Sequence, residues 1–177
     1  MKHGKNDIIN KIFFTLVFVI VFFARSVFLP FPGLKNTGAV YADLLFALSI
    51  VTGILYDNSR SASVIALIFG VISDVFITPP MHLSPLLFFF AAYFAPKVVS
   101  VFTSVNAATS AVASIPFFLI RAVIGCVYII SENQEAGFTY VIKNIILPEL
   151  AFNVTAVFII YIIVGFVYKK VKRRFYI

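Results

Sequence analysis

Apolar residues fall into six long stretches separated by short polar or proline-bearing breaks, at 12–31, 39–55, 63–78, 84–102, 107–130 and 145–168. Crossing a hydrocarbon core about 30 Å thick takes roughly 20 apolar residues in an α-helix, within a range of about 17–25. Each stretch is therefore predicted to be a helix of crossing or near-crossing length. The first ends at Pro30, Pro32 and Gly33, which stop helices, and it lacks an A-x-A cleavage site, so it reads as an anchor rather than a signal peptide. The second and third flank the polar loop Tyr56 to Ser61 and are the shortest. Pro79 and Pro80 break the chain before the fourth, which Ser84 is expected to cap and Pro85 to open. Pro96 and Lys97 offer a stop inside this helix, and a kinked continuation to Phe102 is the alternative. Asn106 is expected to cap the fifth helix, which carries Pro116 inside it, and Ser131 to Asn144 is the longest polar loop. The expected architecture is all-α, a polytopic membrane protein of six transmembrane helices forming one integral membrane domain over residues 1–177.

Composition agrees with this pattern. Hydrophobic residues make up 62% of 177 positions and charged residues 12%, against roughly 25% charged in soluble domains, and mean hydropathy is +1.05. A lipid bilayer, not a second layer of protein, must solvate most of these side chains. The single cysteine, Cys126, has no partner within the chain for a disulfide and reads as a small packing residue. The formal charge of +7 does not point to nucleic acid, because the cations cluster at the two ends. Lys2, Lys5 and Lys11 precede the first span, and Lys169, Lys170, Lys172, Arg173 and Arg174 follow the last. The positive-inside rule then sets both termini on the cytoplasmic side of the membrane, with Arg60 and Lys97 in inner loops and Lys35 and Lys143 in outer ones. The basic tail from Tyr168 to Ile177 fixes topology, and anionic headgroups can add about 1 kcal/mol per cation.

Five charged residues lie inside the predicted spans: Arg25, Asp43, Asp74, Arg121 and Glu149. A charge at mid-membrane costs about 2.5–3.5 kcal/mol on insertion scales, so such groups face the bundle interior and find partners. With both termini inside, all five occupy the outer half, forming one layer of two cations and three anions. Arg25 is expected to pair with Asp43, because a short connection favours adjacent antiparallel helices, and Arg121 with Asp74 or Glu149. Three inward stripes follow from helical spacing. They are Ala107, Ala111, Ser114, Phe118, Arg121 and Gly125 on the fifth helix, Ala66, Gly70 and Asp74 on the third, and Glu149, Asn153 and Ala156 on the sixth. Small residues let backbones approach and polar ones bond across the gap. The layer reads first as bundle glue, with a ligand pocket or partner groove as the other readings.

No catalytic, metal-binding or cofactor-binding constellation emerges. H-E-x-x-H and G-x-S-x-G are absent, and His3 and His82 lie outside the apolar segments. Asp43 and Asp74 lack the glycine-rich context of intramembrane aspartyl proteases.

The run LIFGVISD around Gly70 and Asp74, a break, and then LSPLLFFFAAYFAPKVV resemble the MreD family of bacterial rod-shape-determining proteins. So does ILPELAFNVTAVFIIYIIVGFVYKKVKRR, with Pro148 and Asn153 about one turn apart and a basic end. The departure is at Pro80 to Leu83, where the family more often has a glycine-led turn and this chain has PPMHL. The resemblance implies a non-enzymatic scaffold of the cell-elongation machinery. Its implied partners are an MreC-like membrane protein and, through it, the peptidoglycan synthases and the MreB filament. It also implies a fold similar to the substrate-binding S components of energy-coupling-factor vitamin transporters, which supply the alternative function. Against that alternative, the first helix, IFFTLVFVIVFFARSVF, lacks the small-xxx-small pair with which S components commonly dock their coupling subunit.

Overall fold

The computed structural model describes residues 2–28, 43–76, 83–132 and 142–175, with side chains described for 7–24, 43–76, 83–127, 142–143 and 146–174. The described chain is all-helical, without a strand. Its helices are α1 (Lys2–Phe28), α2 (Leu44–Leu55), α3 (Ser59–Phe76), α4 (Ser84–Val99), α5 (Ala107–Glu132) and α6 (Leu147–Phe175), the last entered through a π-helical turn at Ile142–Ile146. Four of them, α1, α3, α5 and α6, contain segments long and apolar enough to cross a membrane, whereas α2 and α4 are apolar but shorter. This is compatible with a multi-pass membrane protein.

Helix ends differ from the hydropathy pattern for local reasons. Helix α1 starts ten residues before the apolar run and α6 continues through the basic tail to Phe175, because hydropathy marks membrane depth while Lys, Asn and Arg propagate a helix in water. At α3, Asn58 Oδ1 accepts from the N–H groups of Arg60 and Ser61 at 3.2 and 3.3 Å, so the helix begins at Ser59 rather than 63. Ser84 does not cap α4. The residue preceding the helix is Leu83, which makes no side-chain cap bond, and Pro85 occupies the first turn. Pro96 does not stop this helix, nor does it continue to Phe102. It ends at Val99, where the N–H of Ser100 closes on the carbonyl of Pro96 at 3.1 Å. Asn106 caps α5 as the sequence suggests, accepting from the N–H of Thr109 at 2.9 Å while its own N–H donates to Thr109 Oγ1 at 2.9 Å. Residues 29–42, 77–82 and 133–141, which include the expected loop prolines and His82, lie outside the described residues.

Helix α2 is the axis of the bundle. Leu45 through Gly53 are all buried, and α2 packs against every other helix. Its apolar run is therefore solvated by protein on all sides, and lipid is met by the helices around it. Aromatic rings lock the layers. Phe46 of α2 lies 5.3 Å from Phe88 of α4 and 5.2 Å from Phe118 of α5, and Phe18 of α1 stacks on Phe69 of α3 at 4.7 Å. The outer faces are apolar too: Ile12, Phe23, Val75, Val123, Phe152 and Phe166 are all more than half exposed. A monomer in water rarely shows so continuous an apolar surface, and a bilayer accommodates it.

Two glycines set the closest approaches. A methyl at Gly70 would come within 2.7 Å of Pro85 Cα, so this residue of the third-helix stripe is what seats α3 on α4. At Gly53 a methyl would collide with the carbonyl oxygen of Ala92. Pro96 has no N–H to return to that same carbonyl four residues back. The contact places a Gly53 α-carbon where the helix leaves an acceptor unfilled, a geometry suited to a weak Cα–H···O interaction.

Candidate functional site

Polar groups collect at both ends of the bundle. At the end holding the chain's first and last helical turns, the Tyr56 hydroxyl donates to Asp7 Oδ1 at 2.8 Å, Lys11 pairs with Asp7 at 2.7 Å and Lys172 with Asp57 at 3.1 Å. Burial, and then the Asp7 carboxylate beside it, push the Tyr56 phenol above its ordinary value. The lysines are about half exposed, so these contacts tie α1 and α6 to the α2–α3 turn at a wet surface.

The opposite end is dry. Asp43 immediately precedes α2, and its Oδ1 accepts from the N–H of Phe46 at 3.0 Å, capping the helix. Its Oδ2 lies 2.5 Å from a guanidinium nitrogen of Arg121, with the carboxylate 3% and the guanidinium side chain 11% exposed. The Asp43 N–H donates to Asn153 Oδ1 at 2.7 Å. Arg121 also lies over the ring of Phe46, 5.1 Å from its centroid, a favourable place for a cation. One residue at the start of α2 thus joins α5 through its side chain and α6 through its backbone. Glu149, partly buried on the first turn of α6, is close enough to interact electrostatically with Arg121 and Asp43.

The pairing of Arg121 differs from the expected one. Asp43 is held by Arg121, so neither Asp74 nor Glu149 is the direct ion-pair partner of Arg121. The side chain of Arg25 lies outside the described residues, as does any pairing it makes. The physical reason Arg121 reaches Asp43 is the central position of α2, which touches α5 as well as its sequence neighbours. Asp74 sits near the same end on α3, partly buried, and its Oδ1 has no hydrogen-bond partner among the described residues. Arg121 Nη1 is likewise buried without one. Of the residues carrying the family resemblance, Asn153 enters this cluster, Gly70 serves the α3–α4 seam, and Pro148 occupies the first turn of α6. Sequence reasoning missed the capping role of Asp43 and the ring beneath Arg121. An aspartate just before an apolar run is itself an N-cap signal, but starting the second helix at 39 concealed it.

Chemically, the described contacts of the cluster join helices. Asp43 turns one oxygen to the cap and the other to Arg121. Among the described residues no three His, Cys, Asp or Glu side chains gather closely enough to hold a metal ion. Comparison with family models, with curated proteins and with solved structures finds no match.

Proposed function

We propose that this protein is a non-enzymatic membrane scaffold of the bacterial cell-elongation machinery that binds an MreC-like partner and through it the peptidoglycan synthases. It lies in the cytoplasmic membrane with six crossings, an S-component-like fold and both termini in the cytoplasm, and its partners include membrane lipid but no nucleic acid or cofactor. The observation that carries this reading is the Asp43–Arg121–Asn153 junction, in which buried charged and polar groups join α2, α5 and α6. A protein that works by presenting a fixed surface needs such a junction; a turning-over enzyme needs uncommitted groups. The ordered resemblance of the Gly70–Asp74 and Pro148–Asn153 segments to the MreD family names the machinery. Affinity purification from a bacterial membrane should recover an MreC-like protein, and depletion should round the cells.

A second reading, the vitamin-binding S component, is favoured by one observation: Asp74 Oδ1 and Arg121 Nη1 are buried at the same end without hydrogen-bond partners among the described residues, as donors and acceptors awaiting a ligand would be. Submicromolar binding of a vitamin by the isolated protein, together with normal cell shape after deletion, would establish it and overturn the scaffold.

A further inference from the structure

An apolar groove of about 450 Å³ runs along the surface between α4 and α5, walled by the α4 side chains from Leu87 to Val98 and by Pro116, Phe117 and Ile120 of α5, with Phe46 at its base. Its volume falls in the range of small-molecule sites, about 300–1,000 Å³. Asp43, Arg121 and Asn153 do not line it.

Length and charge say what fits. Leu87 to Val98 is about 16 Å of helix at 1.5 Å per residue, close to the thickness of one leaflet, about half of a 30 Å hydrocarbon core. A partner helix would need a track twice as long. At the Val98 end stands Lys97, whose ammonium is 4.6 Å from the centroid of Tyr93 and 5.0 Å from that of Phe94, a ring lining the groove. No carboxylate pairs with Lys97 among the described residues, and its side chain is exposed. Helix α4 ends two residues later, and Ser100, Thr103, Ser104 and Asn106 are all exposed, which marks this end as the membrane–water boundary. A groove one leaflet deep, wholly apolar and headed by Lys97, is complementary to a single acyl chain carrying a negative headgroup.

We propose that the α4–α5 groove retains one anionic phospholipid, its chain along Leu87 to Val98 and its headgroup on Lys97. This needs only that the chain resides in a membrane; it is independent of the scaffold role, and the leaflet occupied is set by orientation, which reporter fusions determine separately. The test is native mass spectrometry of the full chain in detergent, supplied with equimolar phosphatidylglycerol and phosphatidylcholine. The wild type should bind one lipid with about a fivefold preference for phosphatidylglycerol, the equivalent of about 1 kcal/mol per cation. Lys97→Gln, an exposed change that leaves the fold intact, should abolish the preference, while Arg60→Gln should keep it. Ile120→Trp, on a half-exposed groove residue, should reduce bound lipid of both kinds. Equal binding of the two lipids by the wild type, or an unchanged preference in Lys97→Gln, would overturn the proposal. So would a photo-crosslinker at Phe94 that captures a polypeptide instead of lipid in intact membranes.

Discussion

Each end of the bundle holds an ion pair between a basic side chain and an aspartate, in opposite surroundings. At the wet end Lys172 and Asp57 meet at 3.1 Å with side chains 44% and 67% exposed; at the dry end Arg121 and Asp43 meet with 11% and 3%. Exposed pairs contribute about 0–1 kcal/mol, since water screens them and long side chains lose freedom. A buried pair is different in kind. Its formation roughly offsets the cost of desolvating both charges, yet removing one partner strands the other and costs about 3–5 kcal/mol. The dry end is thus where a single substitution can dismantle the bundle, and the wet end is where charges can be exchanged with little consequence.

That contrast can be broken most forcefully at Arg121. Arg121→Met takes the guanidinium away from the buried Asp43 carboxylate and should cost about 3–5 kcal/mol, seen as a collapse of monodisperse yield in detergent; a yield equal to wild type would mean that Asp43 does not depend on Arg121. Next in size is Gly70→Ala, near the dry end, which forces α3 away from the Pro85 backbone and should cost about 1–3 kcal/mol by overpacking, measured as unfolding free energy in mixed micelles. A stabilising result would show that the seam has room. Asn153→Ala, which removes the acceptor for the Asp43 N–H, should cost about 1 kcal/mol, the usual size of an interhelical hydrogen bond in a membrane protein. Lys172→Ala at the wet end should be the mildest, within about 0.5 kcal/mol, and what effect it has should vanish in high salt. An effect as large as that of Asn153→Ala would erase the distinction between the ends.

Much of this was legible in the sequence, and the exceptions have physical causes. The apolar runs located the helices, and helical spacing placed Ala66, Gly70, Ser114, Phe118, Asn153 and Ala156 on buried faces. Partners were harder to read. Asp43 meets Arg121 and Asn153 across 78 and 110 positions of chain, and the periodicity of one helix carries no information about which distant helix it faces. Asp43 can reach Arg121 because α2 is central and touches all the other helices, which no rule about consecutive helices anticipates. Gly53 passed unnoticed for a related reason: its meaning depends on Ala92 and Pro96 of another helix.

The central claim is that the buried charges join helices and do not themselves engage a ligand or a reaction. Replacing both members of a buried pair with groups of similar volume is often neutral or stabilising, and asparagine at position 43 can still cap α2. The decisive measurement is therefore cell-shape complementation by the double variant Asp43→Asn with Arg121→Met, expressed in cells depleted of the protein and compared with Arg121→Met alone. The account predicts that the double variant regains the folded yield lost in the single one and restores rod-shaped cells. A double variant that reaches wild-type folded yield while the cells stay round would contradict it, because the charges would then be needed for what the protein does and not only for how it holds together.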